Sequence, residues 1–198
     1  MDLATIDHDK LLTALRAILA DKGIASRQEI AGRIAITDAA TPARGAAMVA
    51  KAWVDPAFRA LMLADGARAA ESLGIPMRGL PPLGVLENTA ETHHLVVCTL
   101  CSCYPFSILG LSPSWYKSNE YRARVVRDPR GVLEEFGVEL DEKIQVRVWD
   151  STSERRYLVV PEQPKGVEDW DEEALAAIVT RNAMIGTERD LSPSRVKA

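Results

Sequence analysis

The chain has 198 residues, of which 47% are hydrophobic and 26% are charged. These values are typical of one globular domain of ordinary size, and they exclude a wholly disordered or fibrous protein. The net charge of −4, from 24 basic and 28 acidic side chains, gives no electrostatic reason to expect binding to nucleic acid or to an anionic membrane.

The first part of the chain is predicted to be helical. No basic block followed by an apolar run opens the sequence, so we expect no signal peptide and a cytoplasmic protein. Ser26, followed three positions later by Glu29, is a capping box. Helical spacing and cap residues predict four helices, over residues 7–22, after Ser26, over 42–53 and over 57–73. We therefore predict a helical N-terminal region over residues 1–78.

The composition changes after residue 78. A connector rich in Gly and Pro occupies residues 78–84. Beyond it the pattern predicts strands over 94–97, 144–148 and 157–160 and a hairpin turn over 150–156. It also predicts a helix over 121–136, which Pro129 interrupts or restarts, and a helix over 172–180. Residues 79–198 are thus predicted to be an α+β metal-binding catalytic region, which forms one structural unit with the helical region.

The cysteines stand in a long uncharged segment, residues 95–116. Its length would suit a membrane span, but its prolines, serines and Gly110 favour a buried functional loop. All three cysteines of the chain, Cys98, Cys101 and Cys103, fall within six residues. Such an odd, tight cluster is a poor disulfide framework, and in a cytosolic protein it indicates metal or redox chemistry.

Several kinds of site remain open for this cluster. A catalytic or redox metal is the favoured interpretation. Structural zinc normally needs a fourth ligand, which His93 or His94 could supply, although His94 in a strand is expected to point elsewhere. A redox dithiol would use only Cys98 and Cys101, and the cysteines could also be inert core residues. In Cys101-Ser102-Cys103, the backbone nitrogens of Ser102 and Cys103 lie between sulfur donors. A trivalent ion could therefore bind these two nitrogens in one plane with the two thiolates. Cys98 could then bind from one axial side, which leaves the opposite axial position open.

The segment Cys98-Thr99-Leu100-Cys101-Ser102-Cys103 resembles the metal claw of the nitrile hydratase α subunit. The resemblance extends over roughly residues 45–187. It includes His93-His94, Trp115-Tyr116-Lys117, Tyr121-Arg122, Val148-Trp149-Asp150 and Met184-Ile185-Gly186. It implies a helical N-terminal arm followed by a layered α-β-β-α catalytic domain.

The resemblance also implies a metal and its ligands. Cys98, Cys101 and Cys103 would supply sulfur, and Ser102 and Cys103 would add backbone nitrogen. Cys101 would be oxidised to sulfinic acid and Cys103 to sulfenic acid. Thr99 at the second claw position goes with cobalt, so non-corrin Co(III) is expected and iron is less favoured. The implied reaction hydrates a nitrile to an amide. The Cys103 sulfenate is one candidate nucleophile, and water activated by the metal is the other.

Other site residues follow from the same resemblance. Trp115 is expected to line the substrate pocket, with a core aromatic as the alternative. Asp150, Glu154 and Arg156 are expected to support the site by hydrogen bonds, with a solvated charge cluster as the alternative. The chain departs from the family pattern beside the claw, where Phe106-Ser107 replaces the Trp-Pro of many members.

A partner subunit is expected as well. Oxidised sulfur oxygens need strong donors, yet no arginine occurs between Arg78 and Arg122, and Lys117 and Arg156 are the expected cations near the claw. We therefore expect a β-type subunit to donate arginines in a hetero-oligomer, and an activator protein to deliver cobalt. The alternatives are the cobalt subunit of thiocyanate hydrolase and a non-catalytic structural-zinc module.

Overall fold

The computed structural model describes residues 7–191, and its elements confirm a mixed α+β fold. The helices are α1 (His8–Asp21), α2 (Arg27–Asp38), α3 (Pro42–Val54), α4 (Pro56–Ala64), α5 (Gly66–Ser72), α6 (Phe106–Leu109), α7 (Asn119–Arg124), α8 (Pro129–Glu135) and α9 (Glu172–Ile178). The strands are β1 (Leu83–Glu87), β2 (Thr92–Val97), β3 (Gln145–Asp150) and β4 (Arg156–Val160). A single 3₁₀ turn, Ser114–Lys117, precedes α7.

The segment before Ala40 forms one unit, and the chain from Ala40 onward forms a second. The first unit consists of α1 and α2, which contact each other. The predicted capping box is confirmed, because the Ser26 side chain accepts from the Glu29 N–H and the Glu29 carboxylate accepts from the Ser26 N–H. Neither helix contains a buried residue. The apolar spacing of α1 therefore marks an exposed face.

The predicted helix over residues 57–73 is in fact two helices. The backbone of Asp65 is not helical, and its side chain accepts a hydrogen bond from the Arg68 N–H at the start of α5. Short polar side chains compete with the helical backbone in this way, so an aspartate can end one helix and cap the next. Before this break, α3 buries Met48 and Val49 in the core.

Two small parallel sheets follow. β1 pairs with β4, with Leu83 opposite Arg156 and Glu87 opposite Val160. β2 pairs with β3, with Val97 opposite Asp150. All of β2 beyond Thr92 is buried, including His93 and His94, so this strand is covered on both faces. The carboxyl ends of β2 and β3 lie side by side, and the candidate site lies next to them.

Two expectations about the strands were wrong. Residues 150–156 do not form a hairpin turn, because β3 and β4 pair with earlier strands in different sheets. The short connection between β3 and β4 favoured pairing of these two strands with each other, but each instead forms a parallel pair with an earlier strand. The predicted connector also contains the start of β1. Gly84 had indicated a turn, whereas in the fold it lies under the Tyr157 ring, where a Cβ would come within 2.8 Å of the ring.

The segment after α9 joins the sheets. The Val96 N–H donates to the Ile185 carbonyl, and the Val159 N–H donates to the Met184 carbonyl. Among residues 7–191, no helix is long and apolar enough to cross a membrane. The division at residue 78 into a helical and an α+β region stays a prediction.

Candidate metal centre

The three cysteines lie on the loop that leaves the carboxyl end of β2. We call residues 98–103 the claw. Cys98 directly follows the last residue of the buried strand and is 1% exposed, whereas Cys101 is exposed and Cys103 is half-buried. The Tyr116 hydroxyl donates to the Cys103 carbonyl at 2.9 Å and fixes the end of the claw. One ligand is therefore anchored in the core and the other two face outward.

The sulfur atoms converge on one point. The Cys98 and Cys101 sulfurs are 3.4 Å apart, the Cys101 and Cys103 sulfurs are 3.1 Å apart, and all three lie within 4.8 Å of one another. Two metal–sulfur bonds of about 2.3 Å place the sulfurs about 3.3 Å apart at a right angle and about 3.8 Å apart at a tetrahedral angle. The two spacings of 3.4 and 3.1 Å are closer to the right-angled value than to the tetrahedral one.

A fourth side-chain ligand is also missing from the described part of the chain. No His, Asp or Glu donor joins the three cysteines there. His94, considered as a zinc ligand, instead accepts a hydrogen bond from the Trp149 indole N–H at its Nδ1, at 2.8 Å. His93 lies between Asn88 and the Gly186 carbonyl. The remaining ligands of a metal would therefore be backbone nitrogen or solvent.

Two of the claw thiols, those of Cys101 and Cys103, differ in pKa. Hydrogen bonds from the Cys103 and Cys98 thiols and from the Ser102 N–H lower the pKa of Cys101 to about 7, and the Cys103 N–H adds to this effect. Burial, followed by the contact with Cys101, raises the pKa of Cys103 to about 12, although the Arg156 guanidinium partly opposes the rise. Cys101 therefore loses its proton at a lower pH than Cys103 does. The Ser102 and Cys103 backbone nitrogens face the Cys101 sulfur.

Two charged side chains hold the claw backbone at Thr99. Asp150, opposite Val97 in the sheet register, accepts from the Thr99 N–H at 2.9 Å and from the Thr99 hydroxyl at 2.5 Å. Arg122, on α7, donates to the Cys98 and Thr99 carbonyls at 3.1 and 2.8 Å. We predicted a supporting role for Asp150 but assigned none to Arg122. Only its place in the Tyr121-Arg122 motif could have singled it out.

An open pocket of about 320 Å³ lies in front of the claw. Besides the residues from Cys101 to Tyr104, its walls are formed by Phe106, Leu111, Ser112, Lys117 and Arg156. Both cations expected near the claw are therefore present, and no carboxylate belongs to this wall within the described chain. Both cations would offset negative charge at the claw.

Two other predicted residues lie apart from this wall. Trp115 packs edge-to-face against Tyr121 and Phe136, with ring centroids 4.9 and 4.7 Å away. Glu154 is exposed on the loop between β3 and β4, where its backbone N–H donates to the Thr152 hydroxyl. The substrate-binding role of Trp115 and the supporting role of Glu154 stay predictions.

Comparisons with known proteins agree with this geometry. The family model described as nitrile hydratase, alpha chain, matches residues 6–188. The chain is 47% identical over 183 residues to the low-molecular weight cobalt-containing nitrile hydratase subunit alpha of Rhodococcus rhodochrous, covering 92% of this chain and 88% of the relative. It is 41% identical over 191 residues to the thiocyanate hydrolase subunit gamma of Thiobacillus thioparus, covering 91% and 79%.

A solved structure shares the fold as well. A double mutant of the Fe-type nitrile hydratase from Comamonas testosteroni Ni1 superposes with a TM-score of 0.85 at 42% identity. The match covers 96% of this chain and 92% of that one.

Proposed function

Since this chain belongs to the nitrile hydratase alpha-chain family, we propose that it is the metal-bearing subunit of a nitrile hydratase, which hydrates nitriles to amides at a cobalt site. The observation that carries the proposal is the convergence of three cysteine sulfurs on one loop, at spacings that suit right-angled coordination. Relatives from Rhodococcus rhodochrous and Pseudonocardia thermophila are named as cobalt-containing, and Thr99 in the claw agrees with that metal.

The claw would hold the ion through the sulfurs of Cys98, Cys101 and Cys103 and the backbone nitrogens of Ser102 and Cys103. Non-corrin Co(III), when bound, supplies a Lewis acid that polarises a nitrile or makes water more acidic. Cys98, anchored at the end of β2, would hold the ion from the core side. Cys101 and Cys103 line the pocket, which a nitrile can enter.

The pocket walls suit a neutral substrate. Lys117 and Arg156 would offset the negative charge of thiolates and deprotonated amides. Phe106 and Leu111 would contact the hydrocarbon part of the nitrile. Cys103, oxidised to the sulfenate, is our candidate nucleophile towards the nitrile carbon, and water is the alternative.

A partner subunit would complete the pocket. Leu111 in the pocket wall and Leu100 in the claw are 75% and 84% exposed, so apolar side chains here are open to a partner. Arg122 already binds two backbone carbonyls. Arg156 and Lys117 therefore remain as donors to the oxidised sulfurs. We propose that a β-type subunit covers this surface and donates further arginines. Cobalt delivery by an activator protein stays a prediction.

The test is turnover by the cobalt-loaded chain, alone and with its partner subunit. We expect amide formation from aliphatic and aromatic nitriles by the complex, and a far lower rate from the chain alone. Ammonia release from thiocyanate without amide formation from nitriles would assign the chain to thiocyanate hydrolase instead.

Elemental analysis and intact mass of the same preparation provide the control. Zinc bound by three unmodified thiols, without turnover, would favour the structural-zinc module. Equal rates with and without the partner, at matched cobalt content, would show that this subunit carries the whole active site.

A further inference from the structure

We propose that Arg122 is a positioning residue of the metal centre, which holds the arm of the claw that carries Cys98 in the geometry needed for metal binding. The inference rests on the proposed function, because it concerns the same cysteine site. Arg122 lies 24 positions from Cys98 in the sequence, and it touches none of the sulfurs in the contacts described above.

The guanidinium of Arg122 binds two consecutive peptide carbonyls. Its Nε donates to the Cys98 carbonyl at 3.1 Å, and its Nη2 donates to the Thr99 carbonyl at 2.8 Å. Two donors of one rigid plane therefore fix the orientation of two neighbouring peptide groups. A lysine ammonium has no such rigid, planar fork, so it would fix the orientation of the two peptide groups less well.

The base of the Arg122 side chain is itself fixed. The Ser118 side chain caps α7 by accepting from the Tyr121 N–H. The Tyr121 hydroxyl then donates to the Val96 carbonyl at 2.7 Å. Tyr121 and Arg122 thus attach one helix to three carbonyls between Val96 and Thr99, across the junction of strand and claw.

Asp150 holds the same segment from the opposite side. It accepts from the N–H and the hydroxyl of Thr99, while Arg122 binds the Thr99 carbonyl. Every polar group of Thr99 is therefore bound by a charged side chain, a cation on one side and an anion on the other. Charge-assisted hydrogen bonds of this kind are about twice as strong as neutral ones.

The bonds from Arg122 matter because they orient the peptide groups next to Cys98, a residue that burial holds in the core. The Cys98 sulfur lies 3.4 Å from the Cys101 sulfur and accepts from the Cys101 N–H at 3.2 Å, so both contacts are within the claw itself. Without Arg122, the Cys98 and Thr99 carbonyls would lose these donors, and the orientation of the segment would depend on the bonds from Thr99 to Asp150. The Cys98 sulfur would then be held less firmly in the position in which it faces the same ion as its two neighbours.

The experiment is an anaerobic titration of the reduced, full-length chain with Co(II) against a competing chelator. Affinity and the thiolate-to-cobalt charge-transfer absorption are recorded for wild type, Arg122→Leu and Arg122→Lys. Groups that orient metal ligands are typically worth about 10- to 100-fold in affinity, so we expect a loss of that size for Arg122→Leu, with a shifted absorption band. Arg122→Lys should restore part of the affinity.

The matched control is Arg124→Leu on the same helix. Arg124 makes ion pairs with Glu135 and Asp128 at the surface, so its removal should leave both the affinity and the spectrum unchanged. Circular dichroism and thermal unfolding compare the folds. If Arg122→Leu does not fold, Arg122→Gln, which keeps one planar donor, takes its place with the same expectation.

The outcomes separate the two proposals. Absence of Co(II) binding by the folded wild-type chain would count against the proposed function. Binding by wild type, with equal affinity and an equal spectrum in the folded Arg122 variants, would overturn the role of Arg122 alone. A loss as large in Arg124→Leu as in Arg122→Leu would also overturn it, because the effect would then follow from the charge of α7.

Discussion

Acidification should weaken this fold through His93, a fully buried histidine on β2. Its Nε2 faces the Gly186 carbonyl at 2.7 Å and its Nδ1 faces the Asn88 amide at 3.3 Å. The carbonyl requires a proton on Nε2, so Nδ1 is the acceptor and the ring is neutral. Burial, followed by the nearby charges of Arg189 and His94, lowers the pKa of His93 from 6.5 to about 4.

The sign and size follow from linkage. Between pH 6.5 and pH 4 the unfolded chain binds a proton at this position and the folded chain does not, so the free energy of unfolding falls as the pH falls. The contribution is complete above pH 6.5 and is lost by pH 4. A shift from 6.5 to about 4 is worth about 3 kcal/mol.

Urea unfolding of wild type and His93→Gln, at several pH values from 7 to 4, measures this contribution. Glutamine keeps a donor for the Gly186 carbonyl but does not titrate. We expect the free energy of unfolding of wild type to fall by about 3 kcal/mol more than that of the variant. The other titrating groups are common to both proteins and largely cancel in the difference.

A parallel change in the two proteins over this range would refute the reasoning. So would a His93 resonance that titrates near pH 6.5 in the folded wild-type chain, as followed by NMR. The second measurement does not depend on the folding of His93→Gln.

Three further predictions concern packing and the claw. In Gly186→Ala a Cβ would lie 2.0 Å from the His94 carbonyl oxygen at a φ of +91°, so we expect a loss of about 3 kcal/mol or more in thermal or urea unfolding. Gly166→Ala, with a φ of +84° and open space around it, should cost only about 1 kcal/mol; equal costs would disprove the clash. Replacing any of the three claw cysteines by alanine should abolish stable cobalt binding in elemental analysis, and full retention in one variant would remove that residue from the ligand set. The intact mass of mature, cobalt-loaded protein should exceed the sequence mass by about three oxygen atoms, two on Cys101 and one on Cys103, and an active enzyme with unmodified cysteines would exclude the sulfenate as nucleophile.

The sequence alone predicted the features that depend on neighbours along the chain. The capping box at Ser26 and the restart of a helix at Pro129 are local, and the structure has both. The choice of ligands is local too, because three cysteines within six residues bring their sulfurs within reach of one ion. The fold class and the family followed from the same patterns and are confirmed.

Tertiary structure decided everything that depends on contacts between distant segments. The short link between β3 and β4 suggested a hairpin, but each strand gains a parallel partner elsewhere. That pairing puts Asp150 opposite Val97 and within hydrogen-bond distance of Thr99, and the docking of α7 on β2 brings Arg122 to the Cys98 and Thr99 carbonyls. Register and helix docking depend on burial summed over many residues, so no spacing in the sequence could reveal these two contacts. The metal ligands are therefore close together in the sequence, whereas the charged groups that hold them are brought to the claw only by folding.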